Sequence, residues 1–256
     1  MKLYTGKIVA VGLLVVALGC GAAYGVTWEA GLKMGMNSAK LIGDPVGLFV
    51  GGEQSELAGS VSDYHLGFIG GAYVKANFSD FFGIQADFQY VQMGGEGPVA
   101  GSAIISQPNQ QPQLAEFEGT LLLHLDYVEM PVLAVFSFNA GTQGSLQLRG
   151  FIGPTFAYGV SAEVQLTGEA NMEQDDTSHK IVSVDETRDA DAIIENFQVG
   201  GVLGFSISYA LDKVDLVLDT RWGRGFTTID NTTAAEHNSY NSGISIQAGV
   251  AIPFGR

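Results

Sequence analysis

One cysteine in 256 residues, Cys20, excludes an intrachain disulfide framework and any cysteine-based zinc site. Charge is scarce as well: 15% of residues carry it, against about 25% in an ordinary soluble domain. Bases are the rarer sign, 12 Lys and Arg against 27 Asp and Glu, so the chain lacks the basic face that nucleic acid requires. After Gly25 no apolar run approaches the roughly 18 residues of a membrane helix, and helical periodicity is nearly absent. Gly-rich phosphate loops, zinc-ligand spacings and nucleophile elbows are missing too. No cofactor, metal or catalytic activity is therefore expected.

What the chain does have is alternation. In Phe82–Tyr90, Phe82, Ile84, Ala86, Phe88 and Tyr90 share one parity and Gln85, Asp87 and Gln89 the other. Successive strand side chains point to opposite faces, so one face is apolar and the other polar. Leu66–Phe78 repeats the division across a short Ser79-Asp80 turn, which completes a hairpin. Similar runs occupy Val26–Asn37, Gly119–Phe138, Ser145–Gly159, Asn196–Tyr209, Val214–Phe226 and Ser242–Phe254. That makes eight strands.

A soluble sandwich shows the same alternation, and the connections separate the two classes. They run long at 38–65, 94–118, 160–195 and 227–241, and short at 79–81, 139–144 and 210–213. Bacterial outer-membrane barrels have short periplasmic turns, longer outer loops and an even strand count. Each apolar row holds enough side chains for a membrane strand of about 9–11 residues. The expected fold is all-β: an eight-stranded antiparallel up-and-down transmembrane β-barrel over 26–256, in the cell outer membrane.

Residues 1–25 read as a signal peptide. Lys2 and Lys7 precede the apolar run Ile8–Leu18, too short to span a bilayer, and Ala23-Tyr24-Gly25 fits a small-x-small cleavage site. Ala17-Leu18-Gly19-Cys20 is a poor lipobox, so ordinary cleavage is favoured over lipidation of Cys20. Losing Lys2 and Lys7 would take the formal charge from −15 to −17.

Tyr127-Val128-Glu129-Met130-Pro131-Val132-Leu133 resembles the Tyr-hydrophobic-Glu-hydrophobic-Pro-hydrophobic strand of PorT-like outer-membrane β-barrel proteins. Asn77-Phe78-Ser79-Asp80 at a turn, and Arg221-Trp222 followed by Gly225-Phe226, extend the likeness. It implies an eight-stranded barrel in the outer membrane of a Gram-negative bacterium, and it carries over no catalytic residues. The chain departs from the pattern in ending Phe254-Gly255-Arg256, after the aromatic that the assembly machinery would recognise, and in its long 160–195 connection.

The inward parity collects Glu29, Lys33, Lys75, Asp87, Glu129, Arg149, Asp215, Asp219 and Arg221. An eight-stranded barrel is just wide enough to be filled by side chains, and a buried charge is costly unless paired. Five acids and four bases therefore read as a salt-bridged structural plug, with a narrow ion or proton path as the alternative. Inward Gly31, Gly35, Gly71, Gly200, Gly204 and Gly249 would leave room for the long side chains. Pro131, which donates no ladder hydrogen bond, suggests a bulge or local break in pairing. His124 and Asp126 lie two apart near an outer strand end. Acid–base chemistry on lipid is one reading of them, and headgroup-level rim residues are the expected one. Residues 169–191 carry Glu169, Glu173, Asp175, Asp176, Asp185, Glu186, Asp189 and Asp191 against Lys180 and Arg188, without EF-hand spacing. They read as a solvated, mobile outer loop that divalent ions could bridge to lipopolysaccharide. The expected partners are outer-membrane lipid, lipopolysaccharide and the barrel-assembly machinery.

Overall fold

A hairpin is the repeating unit of this fold. In the tightest, Ser79 Oγ accepts from the backbone N–H groups of Phe81 (3.3 Å) and Phe82 (3.0 Å), and Phe78 N–H donates to the Phe82 carbonyl at 3.0 Å. The short hydroxyl side chain thus closes the turn between two alternating arms. The computed structural model describes residues 25–43, 56–105, 113–140, 145–175, 178–192, 194–229 and 238–254. Cys20 and nearly all of the expected signal segment lie outside the described residues.

The strands are β1 (Thr27–Gly43), β2 (Glu56–Gly59), β3 (His65–Asn77), β4 (Phe82–Ile105), β5 (Gln113–Ala140), β6 (Leu146–Asp175), β7 (Ser178–Asp189), β8 (Phe197–Ala210), β9 (Asp215–Gly225) and β10 (Ser239–Phe254). Eight of them close a ring in the order β4-β3-β1-β10-β9-β8-β6-β5, with β5 pairing β4 again. Each adjacent pair in the ring is antiparallel, and the first and last strands meet along Trp28–Gly43 and Ser239–Phe254. Closure removes the unpaired sheet edge that an open sheet would expose. Along the ring the apolar parity points outward: Leu32, Met34, Phe88, Ile152, Phe205 and Ile246 are 56–65% exposed. Near the tight turn, Phe78, Phe81, Phe82, Phe136 and Phe138 form an aromatic group with ring centroids 5.2–6.2 Å apart.

Two of the connections expected to be loops are strand. β4 and β5 run on through most of 94–118, paired from Gly94↔His124 to Ile105↔Gln113. The 160–195 segment is the end of β6 plus β7, which pairs back on it from Glu163↔Asp189. The eight ring strands are therefore joined by two extra ones, β2 on β4 and β7 on β6.

The reason lies in the inner faces. On β5, Ala115, Phe117, Leu121, Leu123 and Leu125 are buried on the same parity as Glu129, while Glu116 and Glu118 face out. Below Tyr127 the apolar row of this strand looks outward; above it the apolar row looks inward. On β6 the inversion requires a change of parity, and a bulge supplies it. Asp126 opposes Ser161 but Tyr127 opposes Gly159, which leaves Val160 as the extra residue. Below the bulge, odd residues Phe151, Thr155 and Ala157 are buried; above it, even residues Ala162, Val164, Leu166, Ala170 and Met172 are. Without Val160, Glu163 and Gln165 would point into the centre. The buried rows build one apolar core, joined by Leu41, Val61, Val99, Ala190, Ile194 and Ile229, at the long-ribbon end of the barrel.

Pro131 stays in register. The β4–β5 ladder skips the Asp87–Pro131 and Phe88–Met130 positions and resumes at Gln89↔Glu129 without a slip. The interruption of pairing is at the proline; the bulge is at Asp126/Tyr127.

Candidate functional site

β1, β3, β4, β5, β6 and β9 each bring charged side chains to the barrel centre. Glu29, Lys33, Lys75, Asp87, Glu129, Arg149, Asp219 and Arg221 are 1–8% exposed, and Asp215 is half-buried at the short-turn mouth. Eight of the nine therefore lie inside the ring. Seven of these eight form two clusters.

The first centres on Glu29. Arg149 grips its carboxylate with Nη1 and Nη2, each at 2.8 Å, Lys75 Nζ lies 2.7 Å from Oε2, and the Tyr73 hydroxyl donates to Oε1 at 2.6 Å. Fork-to-fork contact between guanidinium and carboxylate is the strongest ion-pair geometry available to side chains. Gln147 anchors Arg149 Nε at 2.6 Å. A mouth cavity of about 300 Å³ opens below, bounded by Glu29, Lys75, Arg149 and Asp215.

The second cluster holds two carboxylates between two cations. Lys33 Nζ lies 2.7 Å from Asp219 and 3.3 Å from Asp87; Arg221 Nη2 lies 2.8 Å from Asp219 and 2.6 Å from Asp87. Gln85 donates to Asp87 at 2.7 Å. Lys33 also sits 4.3 Å above the Tyr73 ring, linking the two clusters. Glu129 stands apart from these pairs and accepts from Gln89 at 2.7 Å.

Above Glu129 the lining turns neutral. Gln198 Nε2 donates to the Tyr127 hydroxyl at 2.6 Å, and Asn241 Nδ2 donates to Gln198 at 3.0 Å. A cavity of only about 60 Å³, touching Asn37, Gln89, Glu129, Arg221 and Asn241, separates charge from amide. The apolar core closes the far side. From mouth to ribbon, the interior thus runs from ion pairs through amides to hydrocarbon.

Inward glycines make the layers fit. A Cβ on Gly204 would come within 2.7 Å of the Phe151 ring, and one on Gly249 within 2.6 Å of the Lys33 stem. Phe151 in turn lies 5.2 Å beneath the Arg221 guanidinium.

His124 and Asp126 sit on the outward parity, with His124 Nε2 3.2 Å from Asp126 Oδ1. The structure adds neighbours that the sequence reading missed. Gln92 Nε2 lies 3.2 Å from His124 Nε2, the His65 ring meets the His124 ring edge-on at 5.8 Å, and Glu96 lies 3.9 Å from His65. His65 and Glu96 lie on other strands, distant in the chain, so spacing gave no signal of them. Among the described residues, no group of three or more His, Cys, Asp or Glu is arranged to hold a metal ion. Of the acidic segment, Glu169, Asp185, Glu186, Asp189 and Asp191 are exposed. Arg188 pairs with Glu186 at 2.9 Å. The side chains of Glu173, Asp175 and Lys180, and all of Asp176, lie outside the described residues.

The model of the outer membrane protein beta-barrel domain family matches residues 25–231. No curated protein matches the chain. Among solved structures, the chain is similar to the outer membrane protein OprG from Pseudomonas aeruginosa, at 9% identity and a TM-score of 0.44, over 88% of this chain and 95% of that one. Neisserial surface protein A follows at 14% identity and 0.35, over 89% and 97%. Ail, the attachment invasion locus protein of Yersinia pestis, stands at 10% and 0.36, over 88% and 98%.

Proposed function

The chain belongs to the outer membrane protein beta-barrel domain family and sits in the cell outer membrane, and from that premise we propose that it is a sealed, non-enzymatic barrel whose work is done at its outer end. The observation that carries this reading is the filled interior. Glu29, Lys75, Asp87, Asp219 and Arg221 are 1–3% exposed inside the ring and consume one another's charge. The apolar core stands above them. An ion would have to break paired charges and then cross a hydrocarbon layer, each step costing several kcal/mol.

Both ends then have roles. Residues 1–25 act as the export signal, which puts the short turns and both strand termini in the periplasm. The β4–β7 ribbon and its exposed carboxylates stand outside as a rigid structural or interaction surface. Outer-membrane lipid, lipopolysaccharide and the assembly machinery are its general partners. The Tyr127–Leu133 motif supports a PorT-like place within the family. Purified barrel in a planar bilayer is expected to give no unitary conductance steps; reproducible steps that Arg221→Ala enlarges would make it a channel instead.

A second reading has its own observation, the outward His124–Asp126 contact with His65 alongside. An imidazole held by a carboxylate at headgroup level is placed for acid–base work on lipid. Mass spectra of outer-membrane lipids from cells with and without the protein test it. A mass change abolished by His124→Asn would support an enzyme, and identical spectra would exclude one acting on lipid.

A further inference from the structure

The outward face carries few basic residues near the outer rim, and two of them stand in one row. Lys40 on β1 is paired with Ser242 on β10, and Ser242 is paired with Arg224 on β9. Lys40 shares its parity with the lipid-facing Leu32, Met34 and Met36, and Arg224 shares its parity with Leu216, Leu218 and Trp222. Adjacent strands lie about 4.8 Å apart, so the two cationic residues are anchored about 10 Å apart with a small residue between them. Ser242 is on the outward parity, where Ile244 and Ile246 are 45% and 56% exposed, yet it is 7% exposed itself. The Ser242 hydroxyl donates to the Gly223 carbonyl at 3.3 Å and lies low against the wall. The row is thus a sunken hydroxymethyl between two cationic residues, with the Lys40 ammonium resting over Tyr64 on the β3 side.

Its surroundings are those of a bilayer interface. Lys40 Nζ lies 4.7 Å above the Tyr64 ring, and Trp222 and Ile244 stand one step nearer the lipid band. The row pairs with no carboxylate across the β1–β10–β9 ladder. The neighbouring outward positions are Ser38, Ile42, Tyr240, Ile244 and Trp222. Among the described residues, Lys40 and Arg224 meet no carboxylate within ion-pair distance, which leaves both open to an external anion. The interior ion pairs cannot supply it, because Lys40 and Arg224 point away from them.

We propose that Lys40 and Arg224 form a binding site for the phosphate monoester of an outer-leaflet glycolipid headgroup, with its acyl chains lying along the Trp222–Ile244 face. The site rests on the assignment of the ribbon end to the outside. Guanidinium and ammonium groups make charge-assisted hydrogen bonds to phosphate oxygens, and a spacing of about 10 Å lets both reach one phosphate. Burial of the lipid chains against the wall adds the apolar half of the recognition.

The test uses the folded full chain in detergent, where orientation in a membrane plays no part. Binding is read by native mass spectrometry with four probes: bisphosphorylated lipid A, the same lipid with its phosphates removed, phosphatidylglycerol and inorganic phosphate. The bisphosphorylated lipid is expected to bind best. K40Q/R224Q should weaken it about tenfold or more while leaving the dephosphorylated lipid unchanged. K40Q and R224Q alone should each weaken it several-fold, and K40R should retain binding. Lys213→Gln, at the opposite end of the barrel, should have no effect. Heat-modified gel migration of each variant reports folding, and the single variants carry the test if the double one misfolds. Equal affinity of the variants and the wild type overturns the site, as does equal binding of lipid with and without phosphate. Displacement of lipid by millimolar inorganic phosphate would assign the row to a free anion instead. An outward assignment of the wrong end would show separately, as failure of an impermeant maleimide to label Asp185→Cys on intact cells.

Discussion

Replacing Arg221 with methionine tests the ion-paired interior most directly. The side chain keeps apolar volume but leaves Asp87 and Asp219 to share Lys33, which stands 3.3 and 2.7 Å from them. In the native protein Arg221 meets both carboxylates, at 2.6 and 2.8 Å, with all four groups at most 5% exposed. Breaking a buried pair by removing one partner costs about 3–5 kcal/mol, because a charge is left uncompensated. Loss of the Phe151 contact at 5.2 Å adds up to about 1 kcal/mol. The folding equilibrium should therefore fall by a factor of at least roughly 100. A second change, Asp219→Asn, returns the cluster to one carboxylate and one ammonium. Arg221→Met with Asp219→Asn should thus cost less than the sum of the two single changes, by about 1–3 kcal/mol. Urea unfolding of the barrel in lipid vesicles, followed by fluorescence of Trp28 and Trp222 and by gel migration, measures all four forms. A loss below about 1 kcal/mol for Arg221→Met, or strict additivity in the double variant, would refute the argument.

Leu218 is 49% exposed on the lipid face; Leu218→Arg should destabilise insertion by about 2–4 kcal/mol, while Glu116→Arg on the ribbon should change it little, as vesicle-folding titrations would show. Deleting Val160 should turn Glu163 and Gln165 toward the apolar core. The ribbon should then become sensitive to protease while the barrel still shifts on a heat-modifiability gel; an unchanged digestion pattern would mean the bulge does not set the inner face. Gly204→Val should destabilise by about 1–3 kcal/mol through contact with Phe151, whereas Gly150→Ala, which meets nothing within 4 Å, should be nearly neutral in the same unfolding assay.

The alternation of Phe82–Tyr90 and its counterparts, taken with the regular exchange of long and short connections, was enough to place eight ring strands and the parity of each that faces lipid. The physical reason is local: strand geometry forces neighbours to opposite faces, and lipid accepts only apolar ones. The charged positions were legible for the same reason, since Asp87 and Asp219 share a parity with inward neighbours. Their partners were not legible. Glu29 meets Arg149 across 120 residues, a contact set by closure of the ring and the register of distant strands. The ribbon reads as loop in the sequence, although Ala162, Val164 and Leu166 alternate with Glu163 and Gln165. Above Tyr127 the apolar row belongs inside, and on β6 only an extra residue at Val160 turns it there. Alternation says that two faces differ; which one is interior depends on whether lipid or water lies outside, and the tertiary structure decides that.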